Sequence, residues 1–94
     1  MSQPEARLGR KIRAALEAEG AFMFKVHGSA LMMSGLPDLI GVYHGRFIAV
    51  EVKMPGNHTS PIQDRIIEKI RKAGGRVVVA YSVEEALGVL KARR

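Results

Sequence analysis

Cysteine is absent from the chain. That excludes a disulfide framework, a thiolate metal site and cysteine nucleophile chemistry, and it fits a reducing, cytosolic setting. Long apolar runs are absent as well. No stretch is long enough to span a bilayer, and the N-terminus, MSQPEARLGRKIRAALEAEG, alternates charged with apolar residues and lacks the hydrophobic core of a signal peptide. The expectation is a soluble, cytoplasmic protein with no membrane contact. There is no internal repeat and no low-complexity tract. At 94 residues there is no linker to spare, so residues 1–94 read as one domain near the lower size limit for a self-supporting core.

What is present in excess is positive charge. Fifteen Lys and Arg stand against nine Asp and Glu, leaving a formal charge of +6. On so short a chain this points to a polyanionic partner, nucleic acid first, although a basic surface that serves only solubility has the same composition.

Leu8, Ile12, Ala15 and Leu16 recur at helical spacing over residues 5–19, with Arg7, Arg10, Lys11 and Arg13 on the remaining surface, and Gly20 ends the helix. Residues 21–26 read as a strand. Residues 37–43 and 46–54 read as two more, joined by His44-Gly45 as a two-residue hairpin turn. Ser60-Pro61-Ile62-Gln63 has the form of a helix start, with serine at the N-cap, proline at N1 and glutamine at N3. Ile62, Ile66, Ile67 and Ile70 supply that helix with a buried stripe, and Gly74-Gly75 ends it. The apolar run of residues 76–81 predicts a strand buried on both faces beside a parallel neighbour. Ser82 to Glu85 repeats the capping pattern ahead of a short last helix. The order is αβββαβα, and the helix between the third and fourth strands makes a crossover, so the fold class is α/β with a mixed four-stranded sheet flanked by helices.

With His44 and Gly45 at the turn, the facing pairs run from Tyr43 with Arg46, through Ile40 with Ala49, to Asp38 with Glu51. Opposed residues of an antiparallel pair share a face with Cβ atoms about 4.5–5.5 Å apart, so this register stacks two carboxylates at the end of a face formed by Ile40, Val42, Phe47 and Ala49. Strand period two puts Lys53 on the face of Glu51, about 6.5–7 Å further on. One lysine offsets part of two negative charges. A hard divalent cation does so better, and Mg²⁺ takes carboxylate, water and phosphate oxygens. A solvated strand end carrying an ordinary Glu-Lys pair has the same spacing, and a register slip of one residue would separate the acids. His27, His44 and His58 are widely spaced, with His44 and His58 in turns, which argues against a zinc site.

Gly35-Leu36-Pro37-Asp38-Leu39-Ile40-Gly41, then Phe47-Ile48-Ala49-Val50-Glu51-Val52-Lys53, then Ser60-Pro61-Ile62-Gln63, resembles the VRR-NUC (virus-type replication-repair nuclease) branch of the PD-(D/E)XK nucleases over nearly the whole chain. The resemblance implies a restriction-endonuclease-like core with Asp38, Glu51, Lys53 and Gln63 as catalytic residues. By it, Asp38, Glu51 and the backbone carbonyl of Val52 bind Mg²⁺ or Mn²⁺, Lys53 orients the attacking water or stabilises charge on the phosphate, and Gln63 completes the site. Gln63 equally fits the reciprocal half of a capping box, and both roles can hold at once. Glu5 matches an acidic residue early in the family's first helix that reaches the metal through water, and it also fits an ordinary first-turn glutamate.

The implied activity is that of a divalent-metal-dependent, structure-selective DNA endonuclease acting on branched DNA such as Holliday junctions, as a homodimer and with no organic cofactor. A nuclease for flaps or other non-junction DNA, and a catalytically inactive DNA-binding module, are the alternatives. A phage origin, with a host-cell cytoplasm as the setting, is also implied. Arg7, Arg10, Lys11, Lys25, His27, Arg65 and Lys69 are candidate DNA contacts, with Arg71, Lys72 and the tail residues Lys91, Arg93 and Arg94 adding salt-sensitive backbone contacts. Lys25 and His27 equally fit strand-end residues in water. One departure from the family is the uncharged run of residues 29–34, where basic residues are expected.

Overall fold

The computed structural model describes residues 3–28 and 32–91; Ser29, Ala30 and Leu31 of the uncharged loop and Arg93 and Arg94 of the basic tail lie outside the described residues. The apolar spacing that begins at Leu8 forms helix α1 (Gln3–Ala18), which buries Gly9, Ile12 and Leu16 and starts two residues before the expected residue 5. Strand β1 (Phe22–Lys25) follows, then β2 (Leu39–Tyr43) and β3 (Arg46–Val52), the crossover helix α2 (Pro61–Lys72), β4 (Arg76–Ala80) and α3 (Val83–Leu87), which runs into a single 3₁₀ turn (Gly88–Leu90). The expected αβββαβα order is observed.

The sheet runs in the order β1-β2-β3-β4. Its first three strands are antiparallel, and β3 pairs with β4 in parallel. The hairpin register is the expected one, from Tyr43 opposite Arg46 to Leu39 opposite Val50. Its turn takes positive φ at both His44 (49°) and Gly45 (78°). Two successive left-handed residues make the turn whose twist matches the flanking strands, so histidine accepts a conformation more common for asparagine or glycine.

Strand ends are shorter than the sequence suggests. β2 begins at Leu39 rather than Pro37, because proline has no N–H for the ladder and Asp38 meets Val52 through its side chain instead. β3 accordingly ends at Val52 rather than Met54.

Helices cover both faces. On one, α1 and α3 pack over Leu39, Ile48, Val50, Val52 and Ala80; on the other, α2 places Ile67 against Ala49 and Val77, with Ile40, Ile70 and Val79 alongside. Two burial expectations change. β4 is the sheet's edge, so only Val77 and Ala80 are fully buried there. The face of Ile40, Val42, Phe47 and Ala49 is covered by α2 only in part, at Ala49 and Ile40. Val42 and Phe47, with Phe22 (68% exposed) and Phe24 on β1, are left open to solvent. Ile62 is exposed as well, in the first turn of α2. No helix among the described residues is long and apolar enough to cross a membrane.

Candidate active site

Asp38 stands where β2 begins, and Glu51 and Lys53 alternate along the end of β3. Pro37 cannot extend the ladder, so the edge of β3 opposite Asp38 lacks a backbone partner; the Asp38 carboxylate fills that place, its Oδ2 accepting a hydrogen bond from Val52 N at 2.8 Å. The N–H and C=O of one strand residue point the same way. Lys53 N donates to Ala80 O, toward β4, so the Val52 carbonyl points to the opposite side, that of Asp38.

Glu51 is 2% exposed. Burial, and after it the Asp38 carboxylate, push its carboxyl up from 4.5 to about 7, while Lys53 pulls it back down. Lys53 Nζ lies 3.4 Å from Glu51 Oε2. Gln63 Nε2 donates to the same oxygen at 3.1 Å.

Gln63 closes the capping box and at the same time reaches Glu51. Its Oε1 accepts from Ser60 N at 2.9 Å, and Ser60 Oγ accepts from Gln63 N at 3.3 Å, which closes the capping box. The Ser60 N–H requires an acceptor, so the amide oxygen must face the cap and the NH₂ must face Glu51. A device that starts α2 thereby orients a catalytic candidate. The chain reaches this point through Gly35, whose φ is +85° and whose Cβ position would fall 2.8 Å from Ile62 O, so only glycine lets the loop before Asp38 pack on the first turn of α2.

Two carboxyl groups, one of them buried, and a main-chain carbonyl make a hard-oxygen donor set with a single lysine beside it. That set suits Mg²⁺ or Mn²⁺, which would fill the rest of its shell with water and phosphate oxygens. No group of three or more His, Cys, Asp or Glu able to hold a metal is found among the described residues. His44 is stacked on Tyr43 in the hairpin turn, with ring centroids 4.0 Å apart, at the other end of the strands.

Glu5 is half-buried in the first turn of α1, four residues before Gly9 and therefore on the sheet-facing side; a Cβ at Gly9 would lie 4.0 Å from Val52. Arg10 and Lys25 join Asp38 and Val52 in lining a cleft of about 270 Å³ between α1 and the sheet. Arg13, outside the candidate set, lines it too and pairs with Glu17 at 3.2 Å. Arg7, Lys11 and His27 are exposed nearby in sequence, on α1 and after β1. Arg65 and Lys69 are exposed on α2, across the sheet from α1, so the structure does not gather all seven candidate DNA contacts on one side. Sequence reasoning missed the Asp38 to Val52 contact, although Pro37 was its signal.

The profile of the VRR-NUC domain matches residues 5–84. A solved structure described as a VRR_NUC domain superposes with a TM-score of 0.78 and 27% identity, over 99% of this chain and 100% of that one. No curated protein matches the chain. The matched stretch contains both carboxylates, the lysine and the glutamine described above, and the chain belongs to the VRR-NUC family of PD-(D/E)XK-type nucleases.

Proposed function

We propose that the protein is a divalent-metal-dependent DNA endonuclease selective for DNA structure, hydrolysing phosphodiester bonds at branched DNA such as Holliday junctions as a cytoplasmic homodimer. The observation that carries the reading is the buried Glu51 held against Asp38 with a single lysine to offset them. Asp38, Glu51 and the Val52 carbonyl would hold Mg²⁺ or Mn²⁺, and Glu5 would reach it through water. Bound there, the cation supplies Lewis-acid polarisation of a phosphate oxygen and a lowered pKa for water.

The chain's own groups do the rest. Lys53 brings its ammonium to the reacting phosphate, where it orients the attacking water or offsets the charge that grows in the transition state. Gln63 fixes the rotamer of Glu51 by occupying one of its oxygens. Arg10 and Lys25 line the cleft beside Asp38 and take backbone phosphates. Arg7, Lys11, His27, Arg65 and Lys69 add outlying contacts whose strength falls with salt. Among the described residues no element presents a row of side chains suited to base edges, which favours recognition of shape over sequence. Support for two copies comes from the open apolar face of Phe22, Phe24, Val42 and Phe47 at β1, an edge of the sheet among the described residues.

The test is incubation with a four-way junction, a flap and the matching linear duplex in Mg²⁺ or Mn²⁺, beside an EDTA control and Lys53→Ala. Metal-dependent junction cleavage that Lys53→Ala abolishes is expected. Cleavage of flaps or duplex alone keeps the nuclease and removes the junction preference. Junction binding with no cleavage of any DNA would leave a binding module.

A further inference from the structure

Four cations on the far side of the molecule line one cavity. At the ends of β3 and β4 remote from the carboxylates lies a cavity of about 710 Å³, lined by Arg46, Arg71, Arg76 and Lys91 around the Gly74-Gly75 turn, with no acidic residue in its lining among the described residues. Arg46 and Arg76 open their strands two residues out of step, Arg76 pairing with Ile48, and Arg71 comes from the last turn of α2. Four positive charges on one cavity repel one another; Arg46, Arg71 and Lys91 are exposed and Arg76 is half-buried, so an anion joining them would relieve the repulsion at a site open to solvent.

Among the described residues no acidic side chain pairs with any of the four. Arg71 donates to Val77 O at 2.8 Å, and Arg76 to Leu90 O at 3.0 Å and Val89 O at 3.4 Å, so both guanidinium groups are anchored by neutral carbonyls and point in fixed directions. The Nε–H of Arg76 is buried without a partner among the described residues. Neither the Arg46 nor the Lys91 side chain makes a hydrogen bond or ion pair among the described residues. Carbonyl anchoring accounts for two of the four cations and leaves the other two unexplained. Arginines locked in place beside two cations without a partner among the described residues form a cradle suited to the oxygens of a phosphate ester.

Position indicates which phosphate. Glu51 lies three residues beyond the Ile48–Arg76 row, about 10 Å along the strands. Helix α2 gives a second measure, since Gln63 at its start touches Glu51 and Arg71 lies eight residues later, about 12 Å along the axis. At about 3.4 Å per nucleotide of duplex axis, the component along the strands alone corresponds to about three nucleotides, the least separation the two places can have.

We propose that this arginine-lined cavity is a second phosphate site, which holds a backbone phosphate of the bound DNA a few nucleotides from the bond addressed by Asp38 and Glu51. The proposal rests on the nuclease reading for its ligand. It turns Arg71 and Lys91 from members of a diffuse basic surface into parts of one site with Arg46 and Arg76. DNA held at two points is held in a fixed direction across the catalytic carboxylates, which a single contact cannot do.

The experiment reads binding and not cleavage, so its outcome is separate from that of the nuclease test. In EDTA, the affinity of wild type and of Arg46→Gln/Lys91→Gln for a fluorescent duplex is measured against salt concentration. A slope of log K on log salt that is shallower by about one to two in the double variant is expected, since each phosphate that the protein neutralises contributes about 0.9 to the slope. Inorganic phosphate is titrated in parallel into ¹⁵N-labelled wild type, where the Arg71 and Arg76 Nε–H signals should move saturably; this arm needs no variant to fold. Equal slopes in the two proteins would overturn the proposal. Equal slopes with saturable phosphate shifts would mean that the cavity takes a free phosphate ester, and the assignment to DNA would fall. Arg Nε–H signals unmoved by phosphate would remove the site altogether.

Discussion

At the scale of single residues, Glu51 sets the behaviour of the metal-free protein. Its carboxyl titrates at about 7 in the fold against 4.5 in the unfolded chain, chiefly through burial and secondarily through Asp38. Between those values the folded state holds a proton that the unfolded state has released. Stability is therefore highest below about pH 4.5 as far as this group is concerned, falls as pH rises toward about 7, and levels off above it. The shift corresponds to a loss of up to about 3 kcal/mol across that window. Urea denaturation in EDTA from pH 5 to 8 is expected to show this decline, and Glu51→Gln is expected to flatten it. Mg²⁺ should stabilise wild type more at pH 8 than at pH 5.5, because the cation competes with the same proton. A Mg²⁺ effect that does not vary with pH would sever Glu51 from the cation.

At the scale of elements, two glycines test what positions the site. Gly45 and Gly35 both have positive φ, but a Cβ at Gly45 would meet nothing within 4 Å, whereas at Gly35 it would press on the Ile62 carbonyl. Gly45→Ala should cost about 1–2 kcal/mol from the left-handed backbone alone. Gly35→Ala should cost more and also depress cleavage, because it pushes the approach to Asp38 away from the start of α2 that carries Gln63. Thermal melts beside single-turnover cleavage separate the two effects; equal losses of cleavage in both variants would contradict the positioning role. The hairpin register was legible in the sequence because a two-residue turn and strand period two leave little freedom, and that register brings Asp38 to Glu51. The capping box at Ser60 and Gln63 was legible for the same local reason. The strand limits were not, since Asp38 replaces backbone with side chain at Val52, a substitution that no periodicity reports. The exposure of Ile62 was hidden too, because the stripe of α2 is longer than the strip of sheet beneath it. Arg46, Arg71, Arg76 and Lys91 are scattered along the chain and become neighbours only through the parallel pairing of β3 and β4.

At the scale of the whole molecule, the uneven cover of the sheet matters most. α2 shields β3 and β4 and leaves the aromatic side chains of β1 in water, on a strand that forms an edge of the sheet among the described residues. A second copy seated there would bury Phe22 and Phe24 and satisfy the edge together. Sedimentation should report a dimer at micromolar concentration, and Phe24→Lys should shift it toward monomer with little loss of fold, since Phe24 is 46% exposed in the single chain. A wild-type monomer at all concentrations would refute the association.

The leading catalytic candidates, Asp38, Glu51, Lys53 and Gln63, occupy one uninterrupted stretch of the chain, running through the hairpin and into the first turn of α2. The other elements act as a holder for that cassette: α1 and α3 roof one side, β1 widens the platform, and β4 braces it. Such an arrangement is tolerant of remodelling elsewhere. Insertions at the Gly20 or Gly74 turns, where added Cβ atoms would meet no neighbour, would change the outline of the molecule and its grip on a substrate while the reacting groups kept their spacing.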